Sequence, residues 1–281
     1  MLKQLEDDGM KIEPETYVPT IPLILVNGTD GIGTGWSTKI PCHNPKDVIE
    51  CVKARISKKE MPPIKPWYSG FTGDIVEVSK NKFETRGIVK AGKKKNTLVI
   101  CELPIGTWTE DYKDWLETLA SDTKKSGIKS VKNNSTEVSV EFTVTFEPSG
   151  KIWKHWIAGK FDVVMNDLKL TSTLSYSNMH AFDLKGAIKK YDHPHDIIDD
   201  FVECRSIIYT KRRNKLLSNY SAQCQDLMEK MRFLTLTIEG KIELRNTPKK
   251  KLEEKLASLK FKAPYDTYLS MPLWSITKER V

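Results

Sequence analysis

From His195 to Glu239 the chain contains neither glycine nor proline. That absence constrains the fold more than any other feature, because these two residues are what most readily end a helix. Pro194 stands where such a helix would begin, its fixed φ suited to the first turn. Ile197, Phe201, Ile208, Leu216, Tyr220, Leu227, Met231 and Leu234 recur at spacings near three, four or seven, the helical period. One continuous helix would be about 65 Å long, far beyond an average globular helix. The alternative is two shorter pieces with a break. Beyond it, Thr247-Pro248 is expected to cap a short amphipathic helix with Leu252, Leu256 and Leu259 inward.

Upstream the period changes repeatedly. The first sixteen residues are polar and acidic and read as a helix end or lead-in. Asn44 is a suitable N-cap with Pro45 behind it, and Val48, Ile49, Val52 and Ile56 share one face of the helix that follows, 44–59. Residues 71–78, 82–90 and 96–103 are short and β-branched and predict a meander. Thr109 to Leu119 predicts a capped helix with Tyr112, Trp115, Leu116 and Leu119 facing in. Val138, Val140, Phe142, Val144 and Phe146 alternate as in a half-buried strand over 137–146. A short helix over 151–159 and a strand over 168–176 complete the pattern, so the class is α+β.

The run Ile21 to Val26 reads as a strand feeding a turn with glycines at 28, 31, 33 and 35. Ile32 sits alone among them as the one bulky aliphatic. Glycine lets a backbone approach another surface closely. An isolated apolar side chain there makes sense if its partner can be pried open, as stacked base pairs can. Gly31-Ile-Gly33-Thr-Gly35 also looks like a dinucleotide turn, with Asp47 at a tolerable distance for a ribose. That turn needs a helix opening directly from the glycines, and no helix can start before Asn44. A purely structural glycine turn is the plainer alternative.

With its neighbours this run carries a resemblance. Glu13-Pro-Glu-Thr-Tyr-Val-Pro-Thr-Ile-Pro22 and Asn27-Gly-Thr-Asp-Gly-Ile-Gly-Thr-Gly-Trp-Ser37 resemble the DNA breakage–reunion core of type IIA DNA topoisomerases, in the form of eukaryotes and some large DNA viruses. The similarity continues in order through Glu102-Leu-Pro-Ile-Gly-Thr-Trp-Thr109, Lys169-Leu-Thr-Ser-Thr-Leu-Ser-Tyr-Ser-Asn-Met179 and Lys189-Lys-Tyr-Asp192. It ends with Gly240-Lys-Ile, Pro248-Lys-Lys and Met271-Pro-Leu-Trp-Ser-Ile-Thr-Lys278. The resemblance implies the end of a winged-helix region over 1–64, a mixed tower domain over 65–180, and over 181–281 a helical arm toward an exit-gate coiled coil.

It also implies site residues. Ile32, flanked by Gly31 and Gly33, matches a residue that wedges between base pairs and bends the duplex. Trp108 matches a tower aromatic that touches DNA, although Gly106 replaces an arginine common nearby. Lys169, Thr171, Thr173, Ser175 and Asn178 match a segment lying along the DNA backbone, where such side chains position phosphates without reading sequence. The lysines at 93 to 95 could extend that footprint or merely solvate a turn. His193 and His195 flank Pro194 and read as a helix cap rather than metal ligands.

The family's nucleophile is a tyrosine preceded by arginine, aided by Mg²⁺ on an acidic cluster. No arginine here is followed by tyrosine, and Tyr17 matches a non-catalytic position. No Asp-x-Asp cluster or ATP loop is found either. The chain is therefore expected to be catalytically silent alone, with no cofactor of its own, and with Mg²⁺ and ATP serving the complete enzyme. Expected partners are double-stranded DNA, the remaining parts of the topoisomerase and a second copy in a homodimer. A stand-alone architectural DNA-bending protein and the product of a split topoisomerase gene remain alternatives.

Composition is compatible with this. A formal charge of +8 suits a polyanionic partner, and strongly salt-dependent DNA binding is expected. Five scattered cysteines, without a C-x-x-C pair, argue against a disulfide scaffold or zinc site and for a reducing intracellular compartment: the nucleus for a cellular eukaryote, otherwise the viral or host cytoplasm. No apolar stretch approaches membrane-span length.

Overall fold

The computed structural model describes residues 3–122 and 126–272. Most of the Met271–Lys278 segment lies outside those residues. The chain divides into two compact units, Leu5–Arg205 and Ser206–Val281 with Met1–Gln4.

The chain opens on a ribbon, β1 (Gln4–Asp7) and β2 (Met10–Pro14), rather than a helix end. It turns at Asp8 and Gly9, both at positive φ. Then comes α1 (Leu23–Asn27), where the sequence predicted a strand. Pro22 fixes the entry at φ −68° and Gly28 at φ 65° ends it, the proline-first, glycine-last asymmetry of a helix. The glycine run is likewise not an open loop. It forms a hairpin of β3 (Thr29–Gly33) and β4 (Trp36–Ile40), with Gly33 paired to Trp36 across a two-residue link.

Helix α2 (Pro45–Ile56) starts where expected, the Asn44 side chain accepting from the Lys46 amide at 2.9 Å. Val48, Cys51 and Val52 are buried, whereas Ile56, the last residue of the helix, is exposed.

The expected meander is split between two sheets. β5 (Asp74–Ser79) and β6 (Lys82–Arg86) pair with β11 (Thr171–Ser175) in a three-stranded sheet ordered β11-β6-β5. β7 (Ile88–Ala91) and β8 (Thr97–Glu102) belong to a four-stranded sheet ordered β7-β8-β10-β9. Gly87 is the point of division. It packs against the Glu102 carbonyl too closely for a side chain, and its amide donates to Leu170 O at 2.9 Å. β9 (Ile128–Asn133) was not foreseen. β10 (Phe142–Phe146) begins later than its alternating pattern suggested. Residues 134–141 close on themselves through Thr136 and Ser139, leaving Val138 94% exposed.

Helix α3 (Thr109–Ser121) buries Tyr112 and Leu116 as expected, though its N-cap Trp108 supplies no side-chain bond. Helices α4 (Lys151–Ile157) and α5 (Phe161–Asp167) cover the four-stranded sheet's core of Leu98, Ile100, Phe142, Val144, Phe146 and Val164. A second core holds Leu25, Ile40, Val48, Phe83, Leu174, Tyr176 and Met179. The ribbon of β12 (Met179–Phe182) and β13 (Ile188–Tyr191) completes this unit's strands.

Helix α6 (Pro194–Ile238) is one uninterrupted helix of 45 residues. His193 caps it, its Nδ1 accepting from the His195 amide at 3.2 Å. In the second unit, α7 (Lys249–Ser258) and α8 (Asp266–Leu269) surround a small core of Phe233, Ile242, Leu252, Leu256, Phe261 and Tyr268. Thr247 donates to Arg245 O rather than capping α7. No described helix is long and apolar enough to cross a membrane.

Candidate nucleic-acid interface

The hairpin displays its central residue. Ile32 is 92% exposed, paired across to Ser37 one step from the tip. Gly31 and Gly33 on either side carry nothing beyond Cα, so the Ile32 side chain stands clear. A side chain this exposed is not packed beneath the loop. The dinucleotide reading fails, because the glycine amides belong to a paired β3–β4 ladder and not to a helix N-terminus.

The hairpin is held firmly on its β4 side. Lys39 N–H donates to Asn178 O at 2.7 Å. Thr38 Oγ1 donates to His180 O at 2.8 Å and accepts from the His180 amide at 3.1 Å. Asn178 Nδ2 donates to Ser37 Oγ at 3.0 Å. The Trp36 and His180 rings meet edge-on at 5.6 Å, and Lys39 pairs with Asp30 across the strands at 2.9 Å. Beneath the hairpin, Ile24, Trp36, Phe182 and Ile188 line an open apolar cleft of about 440 Å³.

Its root is fixed by a buried histidine the sequence did not announce. The Leu25 carbonyl accepts from the His43 amide at 2.8 Å and lies 3.1 Å from His43 Nδ1. A carbonyl can only accept, so Nδ1 carries the proton. His43 Nε2 is then left to accept from the Tyr176 hydroxyl at 2.9 Å. Burial pushes the His43 pKa down to about 4, so the ring is neutral at physiological pH. Tyr176 stacks on His43 and meets Phe83 and His193 edge-on. The hairpin root, the end of β11 and the start of α6 thus share one buried cluster. A histidine in a Pro-Cys-His-Asn string gives no sequence signal of this.

The remaining expected residues are placed unequally. Trp108 is 75% exposed, so it is not core. It shares a cleft of about 990 Å³ with Thr173 and with Thr29 and Asp30 of the hairpin. Thr171, Thr173 and Ser175 alternate with buried Leu174 and so share the face turned from the core. Across from them on β6 stand Arg86, Glu84 and Lys82. Arg86 holds Glu84 at 2.7 Å and Asp162 at 3.3 Å.

Thr171 donates to Asn166 Oδ1 at 3.1 Å and Ser175 to Ser177 Oγ at 2.9 Å. Lys169 lies 4.6 Å over the Trp115 ring and lines neither cleft. The lysines at 93 to 95 are exposed in the β7–β8 turn. Trp36, Thr38 and His180 brace the hairpin, and the sequence reading did not single them out.

A family model for the A-type subunit of DNA gyrase/topoisomerase IV matches residues 1–281. DNA topoisomerase 2 of Penicillium chrysogenum is 34% identical, covering 100% of this chain and 19% of that protein. DNA topoisomerase 2 of Plasmodium falciparum is 37% identical, covering 95% and 18%. The DNA topoisomerase-like protein cin-4 of Caenorhabditis elegans is 36% identical, covering 94% and 31%. The crystal structure of the Plasmodium falciparum topoisomerase II DNA-binding, cleavage and re-ligation domain superposes with a TM-score of 0.83 at 33% identity, covering 99% of this chain and 41% of that one. The chain thus spans about a fifth of the length of the first of these relatives.

Proposed function

The chain belongs to the DNA gyrase/topoisomerase IV family, and from that premise we propose that it is the segment of a type II DNA topoisomerase that grips and bends the duplex to be cut. The observation that carries this is Ile32, 92% exposed on a hairpin braced by hydrogen bonds to residues 178 and 180. Wedging it between base pairs costs a few kcal/mol of stacking, offset by the surface a bent duplex then contacts. A loose loop could not apply that strain, and this hairpin is not loose. Trp108 and the hydroxyls of Thr171, Thr173 and Ser175 would supply flanking contacts to phosphate and sugar, with Asn178 serving both backbone and hairpin.

In this reading residues 1–64 carry the wedge, 65–180 form the tower and 181–281 the arm toward the exit gate. The nucleophilic tyrosine, its metal site and the ATPase are supplied by other parts of a homodimeric enzyme. Among the described residues no group of three His, Cys, Asp or Glu side chains could hold a metal ion. The glycines pair in a hairpin instead of cradling phosphates. In this reading Mg²⁺ and ATP are bound by other parts of the enzyme, so no step here runs through them.

A duplex carrying 2-aminopurine at successive steps tests the wedge. Its fluorescence should rise at one step when the chain, joined with the rest of the enzyme, binds. An unchanged signal at every step under saturating protein would contradict intercalation.

A further inference from the structure

The net positive charge of this chain lies in a different stretch of sequence from the hairpin. Residues 206–281 hold sixteen Lys and Arg against eight Asp and Glu, the whole of the chain's +8, and residues 1–205 are balanced. Two blocks carry the excess. On α6 no acidic residue occurs between Glu203 and Asp226, and Lys211, Arg212, Arg213 and Lys215 fall inside that span, all exposed. Lys211 and Lys215 stand one turn apart, on the side of the helix away from Tyr209 and Tyr220. Lys250, Lys251, Lys255, Lys260 and Lys262 form the second block. They too are exposed, while Leu252 and Leu256 anchor α7 to its core. Lys249 alone is spent, on Glu253 and Asp266.

A solubilising face intersperses both signs. The α6 block does the opposite: like charges at i and i+4 repel within the helix, with no carboxylate among the described residues paired to any of the four. The arrangement becomes favourable when a dense external polyanion neutralises it. Lys211 and Lys215 are about 6 Å apart along the axis, close to two phosphate steps of one DNA strand at about 3.4 Å each. An acidic peptide offers sparser charge to such a row.

We propose that the basic blocks within residues 211–262 form a second duplex-DNA-binding surface, distinct from the Ile32 hairpin. It goes beyond the hairpin reading and does not rest on it. The test compares the full chain with a Lys211→Gln, Arg212→Gln, Lys215→Gln variant, whose helix content is checked by circular dichroism. Affinity for a short duplex is measured between about 50 and 200 mM salt, where each neutralised phosphate contributes about 0.9 to the slope. The variant should flatten the slope of log K against log salt by about 2–3. At saturation the wild-type chain should take up two duplexes and the variant one, whereas Ile32→Ala should keep both the slope and the count.

An unchanged slope and count in the basic-block variant would overturn the proposal. A count of one duplex for both the wild-type chain and the basic-block variant would overturn a separate surface even if the slope fell. Polyglutamate displacing the duplex as strongly per charge would reassign the block to acidic protein. A flattened slope with no bending by wild type would sink the hairpin reading and leave this one standing.

Discussion

At the scale of single residues, His43 and Gly28 fix the hairpin root. Folded His43 resists protonation until about pH 4, whereas an unperturbed histidine takes its proton near 6.5. Between those values the unfolded chain binds more protons, so folding loses stability as the pH falls. This contribution is complete above about pH 6.5 and is lost toward 4, by up to about 3 kcal/mol. Melting temperature against pH should show the decline, and His43→Gln should flatten it. Some slope will survive, because burial also lowers the His193 pKa on the other side of Tyr176. A mutant with the wild-type profile would show that His43 is not the titrating group. Gly28 is needed for two reasons: it sits at φ 65°, and a Cβ there would lie 2.7 Å from Ile40 O and 2.9 Å from Cys42 Sγ. Gly28→Ala should cost more than about 1 kcal/mol, read by denaturant unfolding; a neutral result would mean that the root relaxes freely.

At the scale of elements, the long helix was legible and the hairpin only half so. Helix α6 announces itself because nothing from His195 to Glu239 can end it. Helix α1 did not, since Ile21 to Val26 has the side chains of a strand and only the flanking Pro22 and Gly28 make it helical. The glycines marked a special backbone but not its pairing, which depends on contacts with residues 178 to 180, far away in sequence. Val138 has the right period for β10, yet the local hydrogen bonds of Thr136 and Ser139 outcompete strand pairing there. Gly87 divides two sheets through one tertiary close approach that no local pattern encodes. The brace itself is testable: Thr38→Val keeps the shape but loses both bonds to His180. It should cost about 1–3 kcal/mol and hasten amide exchange in β3 and β4. DNA bending should fall before affinity does. Unchanged exchange would mean that the backbone bond from Lys39 suffices.

At the scale of the whole molecule, the net charge that made a nucleic-acid partner credible belongs to residues 206–281, outside the unit that holds the site the motifs indicated. At the hairpin itself the groups are mostly neutral, with Lys39 already paired to Asp30, while Lys82 stands opposite Ser175 on β6. On the proposal above, most of the salt dependence expected from composition would come from the basic blocks, and bending from the shape of the hairpin. The central claim is that Ile32 is a wedge, and end-to-end energy transfer on a short duplex bound by the reconstituted enzyme tests it most directly. Ile32→Ala should change stability by less than about 0.5 kcal/mol, where a buried isoleucine would cost about 2–5. It should straighten the duplex while low-salt affinity holds. A mutant that melts several degrees lower yet bends DNA as the wild type does would contradict the account.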